Sequence, residues 1–344
     1  MRAVRLIGVK DVQIKEIAEP TIAAPQNAIV DVTSTAICGA DMLPYWGYAP
    51  GFEWGMTMGH EFVGVVSDVG SAVTRVKPGD RVMASSMTSC GTCWYCRHGA
   101  QPQCENRALF GFSGAYPRLE GGQADKVLIP NADRDLWILP DDVSDEAGVF
   151  VADILSTAYR GVERADVNVG DAVAVVGCGP VGLMAILVAR LTAGKVFALD
   201  TVQTRLDVAA ALGAIPIDAG GDAVAAVKEQ TSGRGADAVI ECAGGVPAMT
   251  SALQMARPRG TVSVIGAHFE PDFPLDAGAM FANETTLRVS IGAPTDDREE
   301  ILDLIRQGML EPIQTVSHRM PLADAAEAYR MFEAREATKI MLKP

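Results

Sequence analysis

From Ala172 to Ala189 the chain carries no charge, yet the run is interrupted by Gly177-Cys178-Gly179-Pro180-Val181-Gly182. An uncharged run of this length is near what a membrane-spanning helix needs. Three glycines and a proline at its centre speak instead for a strand at Val173–Val176, a tight turn, and an apolar, Ala-rich helix at Val181–Leu191. The turn has the spacing G-x-G-x-x-G. Its first glycine makes the bend, its second lets backbone approach a pyrophosphate drawn to the helix N-terminus, and its third lets helix and sheet pack closely. In a chain with 34 glycines the spacing alone says little. It gains weight from Asp200, which ends the next expected strand, Lys195–Asp200. A carboxylate about twenty residues beyond such a turn accepts hydrogen bonds from the ribose hydroxyls and repels a 2′-phosphate, which favours NAD over NADP. Arg205 has two readings, a partner for that phosphate or a solvated helix residue.

The surrounding sequence extends the pattern. A helix is expected at Thr204–Leu212, ended by Gly213, and further strands at Ala238–Glu241 and Thr261–Ile265. Strand and helix in alternation predict a doubly wound parallel sheet. The first 150 residues read differently. Ala28–Thr35, Phe62–Val69 and Arg81–Ala84 are short β-rich runs, with a turn at Lys77-Pro78-Gly79-Asp80. The texture changes near Ser156, and the tail from Asp296 reads as helix, loop, helix and a short strand at Lys339–Leu342. A chain of 344 residues is long enough for two domains.

Composition narrows the function. An apolar fraction of 49% and a charged fraction of 21% suit a soluble globular protein. The net charge of −14 argues against nucleic acid and against an anionic membrane as partners. No charged segment followed by an apolar one opens the chain, so a secretory signal is not expected. Seven cysteines, an odd number, then point to a reducing, cytoplasmic compartment.

Four of those cysteines, Cys90, Cys93, Cys96 and Cys104, crowd into fifteen positions as C-x2-C-x2-C-x7-C. Two-residue spacers let neighbouring thiolates reach one zinc ion, and four sulfurs leave no open position, so the role is structural. Unrelated thiols and an iron–sulfur cluster are the alternatives, although the bacterial cluster run carries an x3 spacer and a terminal proline. Cys38 lies at the end of one expected strand, and His60-Glu61 just before another. A thiolate with an imidazole is half of a catalytic zinc site, and the plain alternative is a surface His–Glu pair. Cys178 and Cys242 read as small buried hydrophobes.

In this order the three constellations resemble the zinc-dependent medium-chain dehydrogenase/reductase family of alcohol dehydrogenases, over essentially the whole chain. Cys38-Gly39-Ala40-Asp41, Gly59-His60-Glu61-Phe62-Val63-Gly64, Lys77-Pro78-Gly79-Asp80-Arg81-Val82 and Gly121-Gly122-Gln123-Ala124-Asp125-Lys126 carry the likeness. The resemblance implies an α/β chain with a GroES-like catalytic domain at 1–154 and 290–344 and a Rossmann domain at 155–289. It implies Cys38, His60 and Asp153 as ligands of a catalytic zinc, and Glu61 as a ligand that moves in and out. Asp41 is implied to fix the His60 ring. Thr157, Cys242, Ala243, Ile265, Gly266 and Ile291 are implied to border the dinucleotide with the glycine turn, Asp200 and Arg205. The implied chemistry is hydride exchange between an alcohol, a secondary alcohol or polyol, and NAD, in a homo-oligomer, tetramer or dimer.

The chain departs from the family pattern at Ala40, where Ser or Thr is usual, and at Leu43, where His is frequent. Those groups carry the alcohol proton to solvent, and Ala and Leu carry none. Water or an exposed rim near Tyr45 is one alternative route. Reduction of activated C=C or C=N bonds, which needs no such relay, is the second reading, and a non-catalytic NAD and zinc sensor the third. The aromatic cluster Tyr45, Trp46, Tyr48, Phe52 and Trp54 suits an apolar pocket, an interface or a core edge equally.

Overall fold

Five consecutive buried residues, Ala172–Val176, form a strand flanked in parallel by Lys195–Asp200 and Ala236–Glu241. A strand covered on both faces has no solvent side, which is why its sequence is apolar without alternation. The full parallel sheet runs Ile215–Asp218, Lys195–Asp200, Ala172–Val176, Ala236–Glu241, Ala256–Val264, Thr286–Val289. Strand order reverses at Ala172–Val176, so the glycine turn leaves the sheet at its topological switch point. The helix after the turn is Pro180–Ala189, ending before the expected Leu191. The next is Gln203–Ala211, followed by Gly213 at φ +84°. The strand expected at Thr261–Ile265 starts earlier, at Ala256. Its first half holds Pro258, Arg259 at φ +59° and Gly260, which read as a turn, but stays in the sheet through a register shift opposite Ala236 and Ala238.

The computed structural model describes residues 1–268, 275–292 and 297–344. They form two compact units, Met1–Asp153 with Ala293–Gly308 and Ile313–Pro344, and Ile154–Gly292 with Met309–Pro312. The parallel sheet belongs to the second.

The first unit is built on a mixed sheet, antiparallel through Leu136–Ile138, Arg81–Ala84, Glu61–Val69, Ala28–Ala36 and Ile340–Lys343, with His318–Pro321 beyond in parallel and Lys126–Ile129 also on Ala28–Ala36. Val30, Val32, Phe62, Val66, Val82, Phe110 and Ile129 fill one core. Leu6, Ile37, Met42, Met56, Met58, Tyr329 and Leu342 fill another. The last strand lies one residue beyond the expected Lys339–Leu342, and its register is consequential. Ala36 pairs with Glu61 on one side and with Met341 on the other. The tail helices are Arg298–Arg306 and Ala325–Glu333; Asp296, where the tail was expected to begin, lies outside the described residues.

The aromatic cluster divides. Tyr45 and Phe52 belong to the core, Tyr45 stacking on Tyr329 at 5.5 Å, while Tyr48 and Trp54 are exposed. Tyr45 is 4% exposed, so no open rim exists at its side chain. Among the described residues no helix is long and apolar enough to cross a membrane.

Candidate active site

Cys38 follows the Ala28–Ala36 strand and opens a tight turn, Gly39–Asp41, whose Asp41 carboxylate accepts the Cys38 N–H at 3.0 Å. His60 directly precedes the Glu61–Val69 strand. Asp153 ends the helix Asp145–Ala152 with φ −145° and ψ −80°, a break that turns its side chain away from the helix pattern. Cys38, His60, Glu61 and Asp153 each offer an atom lying within 4.8 Å of the others, and all four are buried. The Asp153 carboxylate is 3.4 Å from His60 Nε2 and 3.8 Å from Cys38 Sγ. His60 and Glu61 are therefore not a surface pair; they are 2% and 0% exposed.

Electrostatics at this cluster are those of a place prepared for a cation. Burial pushes the Cys38 thiol up to about 11, and the Glu61 charge adds to the rise. Burial also lifts the Glu61 carboxyl, against the opposing charge of Lys339. Burial disfavours imidazolium at His60, but Asp41, Cys38 and Asp153 outweigh it and raise that group well above its ordinary value. The Oε1 atom of Glu61 is buried without a hydrogen-bond partner. A set of one sulfur, one imidazole and two carboxylates is a donor set zinc accepts, and a divalent ion supplies the charge a buried thiol needs to ionise.

The ligand cluster rests on a second layer of buried side chains. His60 Nδ1 lies 3.2 Å from Asp41 Oδ1, an ionic contact rather than an aligned hydrogen bond. The Gln123 amide reaches Asp41 at 3.5 Å and donates to the Ala36 carbonyl at 3.1 Å, while its oxygen accepts the Tyr329 hydroxyl at 2.9 Å. Lys339, fully buried, donates to the Ile37 carbonyl at 3.1 Å and pairs with Glu61. Sequence reasoning missed Gln123, Tyr329 and Lys339 as parts of the site. The one available signal was Lys339 itself, a charge at the mouth of the apolar run Ile340-Met341-Leu342.

In the cysteine loop, Cys90, Cys93, Cys96 and Cys104 likewise bring their sulfurs within 4.8 Å of one another. Cys93 and Cys104 Sγ are 3.9 Å apart, close to the ~3.8 Å edge of a tetrahedron with 2.3 Å zinc–sulfur bonds. Backbone N–H groups point at the sulfurs: Cys93 at Cys90, Cys96 at Cys93, and Cys90 and Asn106 at Cys104. The amides of Thr92 and Cys93 draw the Cys90 thiol down to about 5. The separation far exceeds a disulfide bond, and the thiols are free.

In the second unit Gly177 takes φ +91°, and a Cβ there meets Ala243 at 2.8 Å; a Cβ on Gly182 meets the Gly177 carbonyl. A Cβ on Gly179, just before Pro180 and Val181 open the helix, meets nothing within 4 Å. The turn therefore leaves room for a group against the helix N-terminus. Asp200 accepts the Cys178 and Val202 N–H groups at 2.8 and 2.9 Å. The Arg205 side chain is half-buried, 19% exposed, with its guanidinium 3.6 Å from Asp200. Cys178 is buried as expected and Cys242 nearly so. Glu241, fully buried, accepts the N–H groups of Ala243 and Gly244 and contacts His268 Nε2 at 2.9 Å, a pairing the sequence reading missed. Gly161 packs on Ile265, Gly266 on Glu241 and Gly292 on Thr157, with Ile291 half exposed beside it.

Comparison with known proteins agrees with this anatomy. Residues 24–141 match the alcohol dehydrogenase GroES-like domain, and residues 180–307 match the zinc-binding dehydrogenase family. Zinc-type alcohol dehydrogenase B of Aspergillus flavus is 35% identical over 355 residues, covering 100% of this chain and 81% of that protein. The alcohol dehydrogenase of Thermus sp. ATN1 superposes with a TM-score of 0.96 at 38% identity, covering 100% of this chain and 99% of that one. The 2R,3R-butanediol dehydrogenase of Bacillus subtilis gives 0.86 at 28% identity, covering 100% and 99%. The chain belongs to the zinc-dependent medium-chain dehydrogenase/reductase family of alcohol dehydrogenases. It is an oxidoreductase whose family works with zinc and a nicotinamide dinucleotide on small molecules.

Proposed function

We propose that the protein interconverts a secondary alcohol or polyol and its carbonyl compound, with NAD as hydride partner, one catalytic and one structural zinc per chain. The observation that carries this reading is the buried meeting of Cys38, His60, Glu61 and Asp153. Bound there, zinc supplies Lewis-acid polarisation of the substrate oxygen. The protein's part is to hold the donors. Asp41 keeps the Nδ1 side of His60 engaged, so Nε2 faces the cluster; there it meets Asp153, whose carboxylate also contacts Cys38. The first unit is the catalytic one in this reading, and the second holds the dinucleotide. There the free face at Gly179 takes the pyrophosphate, and Asp200, fixed by two backbone N–H groups, takes the ribose hydroxyls. Arg205 neutralises Asp200 in part, so the preference for NAD over NADP is a moderate one.

Ala40 and Leu43 give the substrate proton no side-chain acceptor, and the Tyr45 hydroxyl is spent on Glu333. Oxidation of simple alcohols is therefore slow, and Ala40→Thr speeds it. The second reading, reduction of activated C=C or C=N bonds, is not favoured by the relatives, which are named as alcohol dehydrogenases. An exposed edge strand, Thr286–Val289, with Val289 and Phe281 open to solvent, supports a homo-oligomer, dimer or tetramer. Seven cysteines, five of them in the two metal clusters, suit a reducing, cytoplasmic setting. The deciding experiment measures zinc per chain and NADH absorbance across a panel of alcohols, ketones, enones and imines. Two zinc ions with turnover of secondary alcohols bear the proposal out; turnover of enones or imines alone replaces it with the second reading.

A further inference from the structure

A lysine with no solvent contact is costly unless its ammonium is fully engaged. Lys339 is 0% exposed, and what engages it is instructive. One N–H goes to the Ile37 carbonyl at 3.1 Å, the residue directly before Cys38. A second goes to the Glu61 carboxylate, also 0% exposed and 278 residues away in sequence. The ring of Phe150 lies 5.7 Å from the ammonium. Strand register brings the partners together: Ala36 is paired both to Glu61 and to Met341, two residues past Lys339. Glu61 thus has two claims on its carboxylate. One oxygen is held by Lys339, the other is buried without a hydrogen-bond partner, and the residue contributes an atom to the four-ligand cluster.

We propose that Lys339 is a positioning residue that competes with the metal for Glu61, and so keeps the metal's fourth position available to an incoming oxygen or nitrogen donor. Charge balance supports the assignment. A Cys38 thiolate and the Asp153 and Glu61 carboxylates exceed the charge of one divalent ion by a single negative charge, Asp41 behind His60 adds a second, and Lys339 offsets one of the two in this buried site. Removing the ammonium leaves Glu61 one favourable partner, the cation, and closes the position that substrate needs. The inference rests on the metal reading above and goes beyond it by assigning control of Glu61 to a residue outside the ligand set.

The test uses the full-length protein with cobalt(II) at the buried centre and imidazole as the added donor, binding being read from the visible absorption of the cobalt. In Lys339→Met, imidazole affinity falls by about tenfold or more, the scale on which residues behind a metal's ligands act. Lys339→Gln, which keeps a donor for the Ile37 carbonyl but no charge, shows the same loss and serves if the methionine variant fails to fold. Lys339→Arg restores most of the affinity. In a Glu61→Gln background, Lys339→Met has almost no effect, because there is no carboxylate left to release. Unchanged imidazole affinity in both uncharged variants overturns the proposal, and so does an equal loss with and without Glu61. A wild-type protein that takes up no cobalt at Cys38, His60 and Asp153 defeats the metal reading itself, which is a different result.

Discussion

The four-cysteine loop gathers its sulfurs from fifteen consecutive residues, whereas Cys38, His60, Glu61 and Asp153 arrive from three distant segments and are enclosed by the first unit's sheet. The consequences differ. In the loop, backbone amides two or three residues away draw Cys90 down to about 5 and lower Cys93, while burial raises the inner thiols, Cys96 to about 12 and Cys104 above its ordinary value. At the buried cluster, loss of water dominates, and Cys38 is driven up to about 11. A centre of the first kind is prepared by its own backbone and stabilises the segment that makes it. One of the second kind depends on the completed fold, with stability drawn from elsewhere, and is free to leave a coordination position for chemistry. On the proposed reading, sequence proximity sorts the two into structural and catalytic roles before any ion is considered.

The sharpest way to break that distinction is to damage each centre and ask what fails. In His60→Ala, turnover falls by about a thousandfold or more, since the several kcal/mol of Lewis-acid stabilisation are lost. The thermal midpoint moves little, and one zinc per chain remains in the loop. A large fall in the midpoint contradicts the contrast. In Cys104→Ser, the opposite pattern is expected: zinc drops by one per chain and stability falls by about 3–4 kcal/mol, in the upper range for a point change. Hydrogen exchange then speeds up across residues 90–104 while the buried centre still binds its metal. Loss of both ions together shows the centres to be one cooperative unit.

This contrast also explains what the sequence could reveal. The glycine turn and the cysteine loop are legible because their geometry is set within a dozen or so residues. The Gly177 bend at φ +91° and the paired sulfur spacers are local necessities. His60-Glu61 was ambiguous with a surface pair, because burial at 2% and 0% depends on partners far along the chain. Gln123 and Tyr329 were invisible as site residues, and Lys339 showed only as a charge beside an apolar run, since sheet register and the packing of Ala325–Glu333 bring them there. The pairing of Arg205 with Asp200 was hidden for a related reason: it depends on how the following helix packs. The Ala256 strand start was hidden because turn chemistry at Pro258-Arg259-Gly260 was absorbed by a bulge.

A milder substitution sharpens the comparison without destroying either centre. Asp41→Asn keeps the size of the side chain behind His60 but removes its charge. Metal affinity at the buried cluster is expected to fall about 10- to 100-fold, the usual cost of losing a carboxylate behind a ligating imidazole. The loop zinc is expected to be unaffected. Stepwise chelation, followed by metal analysis of what remains bound, checks both statements. Equal weakening at the two centres is the outcome against it.

The smallest effect lies at the seam between loop and sheet. Asp135 Oδ1 accepts the N–H of Ser89, the residue before Cys90, at 3.3 Å, while Oδ2 has no hydrogen-bond partner. Beside it is a cavity of about 10 Å³ lined by Ser85, Thr88, Ser89 and Gln101. Burial pushes the Asp135 carboxyl up to about 8, with the Ser89 N–H and the charges of Arg134 and Arg298 offsetting it only in part. In the unfolded chain the group titrates at about 3.9. The folded protein therefore holds this proton more tightly than the unfolded chain does. Its contribution is fully present below pH ~4, is lost as pH rises toward 8, and levels off above it. Asp135→Asn cannot titrate, so its stability relative to wild type should rise between pH 5 and pH 9, with nearly all of the change falling below about pH 8. Zinc binding also varies with pH, but it does so in both proteins and cancels in the difference between their denaturation midpoints. A gap that is the same at both pH values means that Asp135 is already ionised in the fold, and that the seam tolerates charge as readily as the loop's own amides do.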